Sequence, residues 1–130
     1  MGVSIRTKNK SIDMGYASFF RLRTDIAKAI NFEWGQKYEE LIKSERYDEL
    51  NDITSEYLTK DKISKYLVDF CFQSETEGHI TCWACNYIYR QIQNVDKKDS
   101  YGYAMTPNSW EEIKNVFKDG SENRGGMEWY

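Results

Sequence analysis

The chain has 130 residues, of which 40% are hydrophobic and 30% charged, and its net charge is −3. This length and composition are typical of one folded domain and exclude a disordered chain, which would be less hydrophobic and more highly charged. Its apolar runs are far shorter than the ~20 residues of a membrane-spanning helix. The N-terminus lacks the apolar core of a secretory signal. We therefore expect a cytoplasmic protein without a membrane segment.

The charges are unevenly distributed along the chain. Residues 1–30 carry six bases and two acids, whereas residues 39–61 carry eight acids and three bases. The acidic segment either forms a solvated face that pairs with the basic segment, or offers an acidic surface to a basic partner. Ten tyrosines add residues that suit binding surfaces. The candidate interaction residues are Glu39, Glu40, Glu45, Asp48, Glu49, Asp52 and Glu56.

Apolar spacing predicts the first half of the fold. Alternation in residues 2–6 predicts one short N-terminal strand. Residues recurring three and four apart predict helices over 15–30, 33–43 and 45–58. We expect Asp13 to cap the first of these helices and Asn31 to end it in a left-handed conformation.

The second half continues as helices. Thr59 and Thr81 are suitable N-caps for helices that end near residues 72 and 94. A last helix begins at residue 107 or 109 and ends at Gly120. The predicted fold is mainly α, a bundle of five to six helices in a single globular domain over residues 1–120. Residues 121–130 are expected to form a mobile or docking C-terminal tail.

Every cysteine and the only histidine lie within fifteen residues of each other. Cys71, His79, Cys82 and Cys85 have the spacing C-x7-H-x2-C-x2-C. Thiolate and imidazole are the ligands that zinc prefers, and a C-x-x-C pair at a helix N-terminus suits half of a tetrahedral site. The sequence therefore offers a candidate zinc site.

Other interpretations of this stretch stay open. The three cysteines could be packed in the core, the C-x-x-C pair could be redox-active, or Cys82 could be a nucleophile with His79 as its base. The loop also has the shape of an EF-hand loop with Gly78 at its sixth position. Gln73 and Ala84 then occupy the first and twelfth positions, where calcium needs carboxylates. We therefore expect an EF-hand-like helix-loop-helix without calcium ligands.

Residues 14–23, which read MGYASFFRLR, and residues 72–80, FQSETEGHI, resemble a group of small uncharacterised bacterial and phage proteins. In that group the loop reads S-D-C-D-G-x-I. Here Glu75 and Glu77 replace the two aspartates, and Thr76 stands where the group has cysteine. The resemblance implies a cytoplasmic, prophage-type accessory protein and carries no activity.

Three functions compete on this sequence. The first is a non-enzymatic interaction protein, such as a phage or mobile-element inhibitor that binds a host protein through its acidic, Tyr-rich surface. The second is a small-ligand or zinc-binding module with an aromatic pocket formed by Tyr87, Tyr89, Tyr101 and Tyr103. The third, DNA binding by the bases of the first helix, is disfavoured by the net negative charge. No residue set specifies an enzymatic reaction, and the oligomeric state is left open.

Overall fold

The computed structural model describes residues 2–95 and 107–130, and of residues 107 and 108 it describes the backbone alone. The described residues are mainly helical, which confirms the predicted fold class, and they include a small sheet. None of their helices is long and apolar enough to cross a membrane. In chain order the elements are β1 (Gly2–Arg6), β2 (Ser11–Gly15), α1 (Tyr16–Ile30), α2 (Phe32–Lys43), α3 (Tyr47–Thr59), α4 (Lys65–Phe72), β3 (Gly78–Ile80), α5 (Cys82–Ile92), α6 (Pro107–Glu122) and β4 (Met127–Trp129).

The sheet is antiparallel and has the strand order β2-β1-β4-β3. β1 confirms the predicted N-terminal strand. The other three strands were not predicted, because each has only three to five residues and two of them pair with distant parts of the sequence. Trp129 of β4 lies opposite Ile5 of β1 on one side and Gly78 of β3 on the other. The last strand of the chain is therefore an inner strand of the sheet.

The first three helices lie within two residues of their predicted bounds, but the predicted caps of α1 are wrong. Asp13 lies in β2, where its carboxylate accepts a hydrogen bond from Ser4 Oγ at 2.6 Å. Asn31 has an extended backbone with φ −148°. Its side chain instead caps α2 by accepting from the Trp34 amide at 3.0 Å. One residue thus ends α1 and begins α2, so the two helices follow each other without a loop.

The predicted start of the fourth helix is also wrong. Thr59 is the last residue of α3, and its hydroxyl donates to the Ser55 carbonyl oxygen at 2.8 Å. The chain then turns through Asp61, which has φ +55°. Ser64 begins α4 by accepting from the Tyr66 amide at 3.1 Å. A helix that starts at residue 60 would need Asp61 in the right-handed helical conformation, and its left-handed conformation is incompatible with that.

The last two helices pack closely on each other. Thr81 caps α5 as predicted and accepts from the Ala84 amide at 3.2 Å, and α6 begins at Pro107 as predicted. Gly120 does not end α6, which continues to Glu122. A Cβ at position 120 would lie 2.7 Å from the Cys85 sulfur, so glycine allows the close approach of the two helices here.

One hydrophobic cluster joins the helices to the sheet. Trp129 is 1% exposed, and its ring lies 5.6 Å from that of Phe19 and 5.7 Å from that of Phe70. Its indole N–H donates to the Ser74 carbonyl oxygen at 2.9 Å. β4 is therefore held by side-chain packing on α1 and α4 as well as by strand pairing.

Candidate functional site

Cys71 lies at the end of α4 with its thiol in the interior. It is 2% exposed, and burial raises the pKa of this thiol to about 12. The Tyr38 hydroxyl donates to the Cys71 carbonyl oxygen at 3.0 Å. The end of α4 at Cys71 is therefore bonded to α2.

Cys82 and Cys85 lie on the first turn of α5 and are close enough to interact. Burial, and then the neighbouring Cys82, raise the pKa of the Cys85 thiol to about 12. Cys85 faces Gly120 of α6, whereas Cys82 is partly exposed. All three cysteines are free thiols.

His79 lies in β3, at the end of a closed loop. Its ring Nε2 is 2.8 Å from the Gly125 carbonyl oxygen. The Gln73 side chain closes the loop, since it donates to the His79 carbonyl oxygen at 2.7 Å and accepts from the His79 amide at 2.9 Å. In residues 2–95 and 107–130, no three His, Cys, Asp or Glu side chains form a group that could hold a metal ion. Zinc binding by Cys71, His79, Cys82 and Cys85 stays a prediction of the sequence.

Three of the seven candidate interaction acids are paired with bases. Glu39 bonds Lys28 at 2.9 Å and Lys43 at 3.4 Å. Burial opposes ionisation of Glu39, but these lysines outweigh it and lower the pKa of its carboxyl. Glu49 pairs with Arg46, and Glu56 pairs with Lys60 at 2.8 Å. These pairs reduce the net charge that this region presents to solvent.

The other four acids form what we call the acidic edge: Glu40, Glu45, Asp48 and Asp52. All four are exposed and form no ion pair with the described residues. Asp48 and Asp52 are one turn apart on α3, and Glu45 precedes that helix in a left-handed conformation with φ +57°. Tyr47 directly precedes Asp48 on α3 and is 53% exposed. The acidic edge thus combines unneutralised charge with an aromatic side chain.

α3, which carries Asp48 and Asp52 of this edge, has one face on the body of the protein. α3 buries Leu50, Thr54 and Tyr57. Thr54 Oγ1 accepts from the Trp34 indole at 3.1 Å, and the Tyr57 hydroxyl donates to Glu33 of α2. α3 is therefore anchored to α2, and its acidic face is directed outward.

The basic residues of the first helix do not form one surface. Arg21 is exposed, Arg23 is only 6% exposed, and Lys28 is paired with Glu39. Arg23 is therefore a buried residue of α1. Its surroundings give the site that sequence reasoning missed.

A pocket of about 360 Å³, which we call the aromatic pocket, lies between α1, α2, the start of α3 and the end of α4. Its aromatic lining comes from Phe19, Phe20, Tyr38, Tyr47 and Phe72, and Arg23 adds a cation. These residues come from four helices spread over more than fifty positions of the sequence. The signal available in the sequence was an arginine one position after a core leucine.

Of the tyrosines predicted to line a pocket, Tyr87 and Tyr89 do not line the aromatic pocket. Tyr87 lines a separate cavity of about 470 Å³ beside Lys62 and Lys65. Its ring is 6.0 Å from that of Tyr66. Tyr89 is half-buried. Tyr101 and Tyr103 lie outside the described residues.

Comparison of the chain with protein family models, with curated proteins and with solved structures gives no match.

Proposed function

We propose that the protein is a non-enzymatic interaction protein of the cytoplasm that binds a basic surface of a protein partner through the acidic edge. In this proposal the partner is a host protein, and a phage or mobile element encodes the chain as its inhibitor. The observation that carries the proposal is the set of four exposed carboxylates without ion pairs to the described residues, two of which, Glu45 and Asp48, lie within two residues of the exposed Tyr47. The resemblance of residues 14–23 and 72–80 to small phage and bacterial proteins supports the setting.

Electrostatics gives the acidic edge its role. Unpaired carboxylates on one face attract a positively charged surface and accelerate its association. Tyr47 can supply rigid contact area in such an interface, since an exposed tyrosine buries a large ring with few rotatable bonds. Glu39, Glu49 and Glu56 are held by their own lysines or arginine, so we expect them to contribute less.

The test is quantitative capture from a bacterial host lysate by the immobilised full chain. One variant combines Glu45→Gln, Asp48→Asn and Asp52→Asn, and its matched control combines Glu77→Gln, Glu112→Gln and Glu122→Gln at exposed positions elsewhere. Both variants lose the same number of charges. We expect the wild type and the control to retain the same basic protein, and the acidic-edge variant to lose it. The amount that the wild type and the control retain should fall at high salt. Equal retention by both variants, or no partner, would overturn the proposal.

We further propose that α4, the loop and α5 form an EF-hand-like helix-loop-helix without calcium ligands. Gly78 in a short strand at the centre of the loop supports the shape, and Gln73 in place of a first-position carboxylate supports the loss of calcium binding. Its test is a calcium titration followed by amide NMR. We expect no shift of the Gly78 amide, and a saturable shift would contradict the proposal.

A further inference from the structure

The aromatic pocket has a cation at its base. Arg23 is 6% exposed, and its guanidinium carbon lies 4.3 Å from the centre of the Phe19 ring. Phe19 and Tyr38, the other residues of the base, are 0% and 1% exposed. Tyr47 and Phe72, at 53% and 37% exposed, form the rim. The charge thus lies at the closed end of the pocket, and aromatic side chains line the way to it.

The hydrogen-bonding capacity of this buried guanidinium is incompletely used. One Nη donates to the Ser74 carbonyl oxygen at a long 3.4 Å, and Nε has no hydrogen-bond partner. In the described part of the chain no carboxylate forms an ion pair with Arg23. Aromatic rings stabilise the cation, but they leave the unpaired N–H without an acceptor. A buried donor of this kind costs free energy that an incoming acceptor would recover.

The neighbouring groups restrict which acceptor can fit. The Tyr38 hydroxyl uses its proton on the Cys71 carbonyl oxygen at 3.0 Å, so it offers no further donor to a ligand. Among the described residues that line the pocket, Arg23 is the only cation and Glu75 is the only acid. One positive charge with an acid nearby suits a monoanion and disfavours a dianion such as a phosphate monoester. A carboxylate matches the fork of the guanidinium.

The walls specify the rest of the ligand. The Phe20 ring stacks on that of Tyr38 at 6.1 Å, and the Phe72 ring meets that of Tyr38 edge-on at 5.9 Å. These rings present faces and edges with which another aromatic ring packs favourably. The volume of about 360 Å³ is at the lower end of the ~300–1,000 Å³ range of ligand pockets. The pocket therefore suits one ring on a short chain.

We propose that the aromatic pocket binds a small aromatic monocarboxylate, with the carboxylate on Arg23 and the ring packed against Tyr38, Phe20 and Phe72. This site is separate in chemistry from the acidic edge, because it selects an anion. Its ligand would occupy the base of the pocket, whereas a protein partner would contact the exposed carboxylates of the acidic edge and the ring of Tyr47 at the pocket rim. Either function can therefore fail without the other.

The first test compares two probes on the wild-type full chain by titration calorimetry. The probes are 3-phenylpropionate and 3-phenylpropan-1-ol, which share the ring and chain and differ in the charged group. We expect the acid to bind at least about tenfold more tightly than the alcohol, because only the acid pairs with the buried guanidinium. Equal affinities, or no binding of either probe, would overturn the proposal.

Substitutions then locate the binding. Arg23→Gln should reduce affinity for the acid to that for the alcohol, and Arg23→Lys should recover little because it lacks Nε. Phe72→Ala at the rim should lower the affinity for both probes to the same extent. Trp83→Ala, which removes another exposed aromatic side chain, 69% exposed, should change neither. Circular dichroism checks that each variant is folded. If the Arg23 variants unfold, Phe72→Ala still tests where the probes bind. Unchanged affinity of this variant for both probes would place the ligand outside the aromatic pocket.

Discussion

Cys71, Cys82 and Cys85 differ in their surroundings, and we expect their reactivity toward alkylating agents to differ accordingly. Cys71 and Cys85 are buried, and burial raises the pKa of both thiols to about 12, whereas Cys82 is partly exposed. Because the thiolate is the species that alkylates, iodoacetamide at mildly alkaline pH should modify Cys82 first. The other two should react only as fast as the protein opens. Peptide mass spectrometry measures the order, and equal rates at Cys71 and Cys82 would contradict it.

The same assay tests the zinc prediction. A zinc ion held by Cys71, His79, Cys82 and Cys85 would protect Cys82 from alkylation, because a coordinated thiolate is a poor nucleophile. Elemental analysis of protein prepared without chelator would then give one zinc per chain. Unchanged alkylation of Cys82 in the presence of added zinc, together with zinc-free protein, would refute the site.

Gly126 provides a residue-scale test of the fold with a control beside it. It has φ +63°, and a Cβ there would contact the Ile80 carbonyl oxygen and lie 2.8 Å from the Thr81 carbonyl carbon. Gly126→Ala should therefore lower the free energy of unfolding by about 1–3 kcal/mol. Gly125→Ala meets nothing within 4 Å and should stay within ~0.5 kcal/mol of wild type. Urea denaturation measures both, and equal stabilities would contradict the backbone conformation.

Among the secondary-structure elements, the sequence predicted the helices that a local apolar spacing specifies. The buried stripe Phe19, Leu22 and Ile26 specifies α1, because residues three and four apart share a helix face. The caps were harder, since Thr59 and Ser64 have the same chemistry and only the left-handed turn at Asp61 distinguishes them. The short strands were missed because their partners are distant: Ile5 and Trp129 face each other from opposite ends of the chain.

Asp119 joins α6 to the turn between β1 and β2. Its carboxylate accepts from Thr7 Oγ1 at 2.6 Å, from the Asn9 amide at 2.8 Å and from Asn9 Nδ2 at 2.9 Å. Burial opposes ionisation, but the hydrogen bonds from Thr7 and Asn9 outweigh it and lower the pKa of this carboxyl below its ordinary 3.8. A lowered pKa means that the unfolded chain takes up the proton first. The stabilisation is therefore complete above the ordinary value and is lost as pH falls through the folded one.

We expect Asp119→Asn to lower the free energy of unfolding at neutral pH and to make it less dependent on pH in the acid range. Denaturation at a series of pH values from neutral to acid measures both effects. Asp69→Asn, which removes an exposed carboxylate from α4, is the matched control and should resemble the wild type. If Asp119→Asn keeps the full acid dependence of the wild type, the link between α6 and the turn does not contribute as described.

At the scale of the whole molecule, the candidate site was beyond local sequence reasoning. The sequence drew attention to Cys71, His79, Cys82 and Cys85 because they are close together along the chain. The aromatic pocket instead assembles Arg23, Tyr38 and Phe72 from three helices, and no spacing links them. Their meeting depends on how α1, α2 and α4 pack, which a stripe of apolar residues predicts only in outline. The acidic edge was visible in the sequence because it is one continuous segment.

Trp129 connects these scales, because one side chain holds the inner strand β4 to two helices. It is 1% exposed, packs on Phe19 and Phe70, and donates to the Ser74 carbonyl oxygen at 2.9 Å. Trp129→Ala should lower the free energy of unfolding by about 3–5 kcal/mol, as for other buried aromatic residues. The loss should disturb both neighbours of β4, since β1 and β3 each pair with it.

Urea denaturation followed by circular dichroism measures the effect, and Tyr130→Ala is the matched control. Tyr130 is 55% exposed, and its backbone bonds to Ser4, at 2.8 and 3.1 Å, survive the substitution. We expect Tyr130→Ala to be close to wild type in stability. Trp129→Phe should fall between the two, because it keeps an aromatic ring against Phe19 but loses the indole N–H. Equal stability of the Trp129→Ala and Tyr130→Ala proteins would show that β4 does not hold the sheet to the helices.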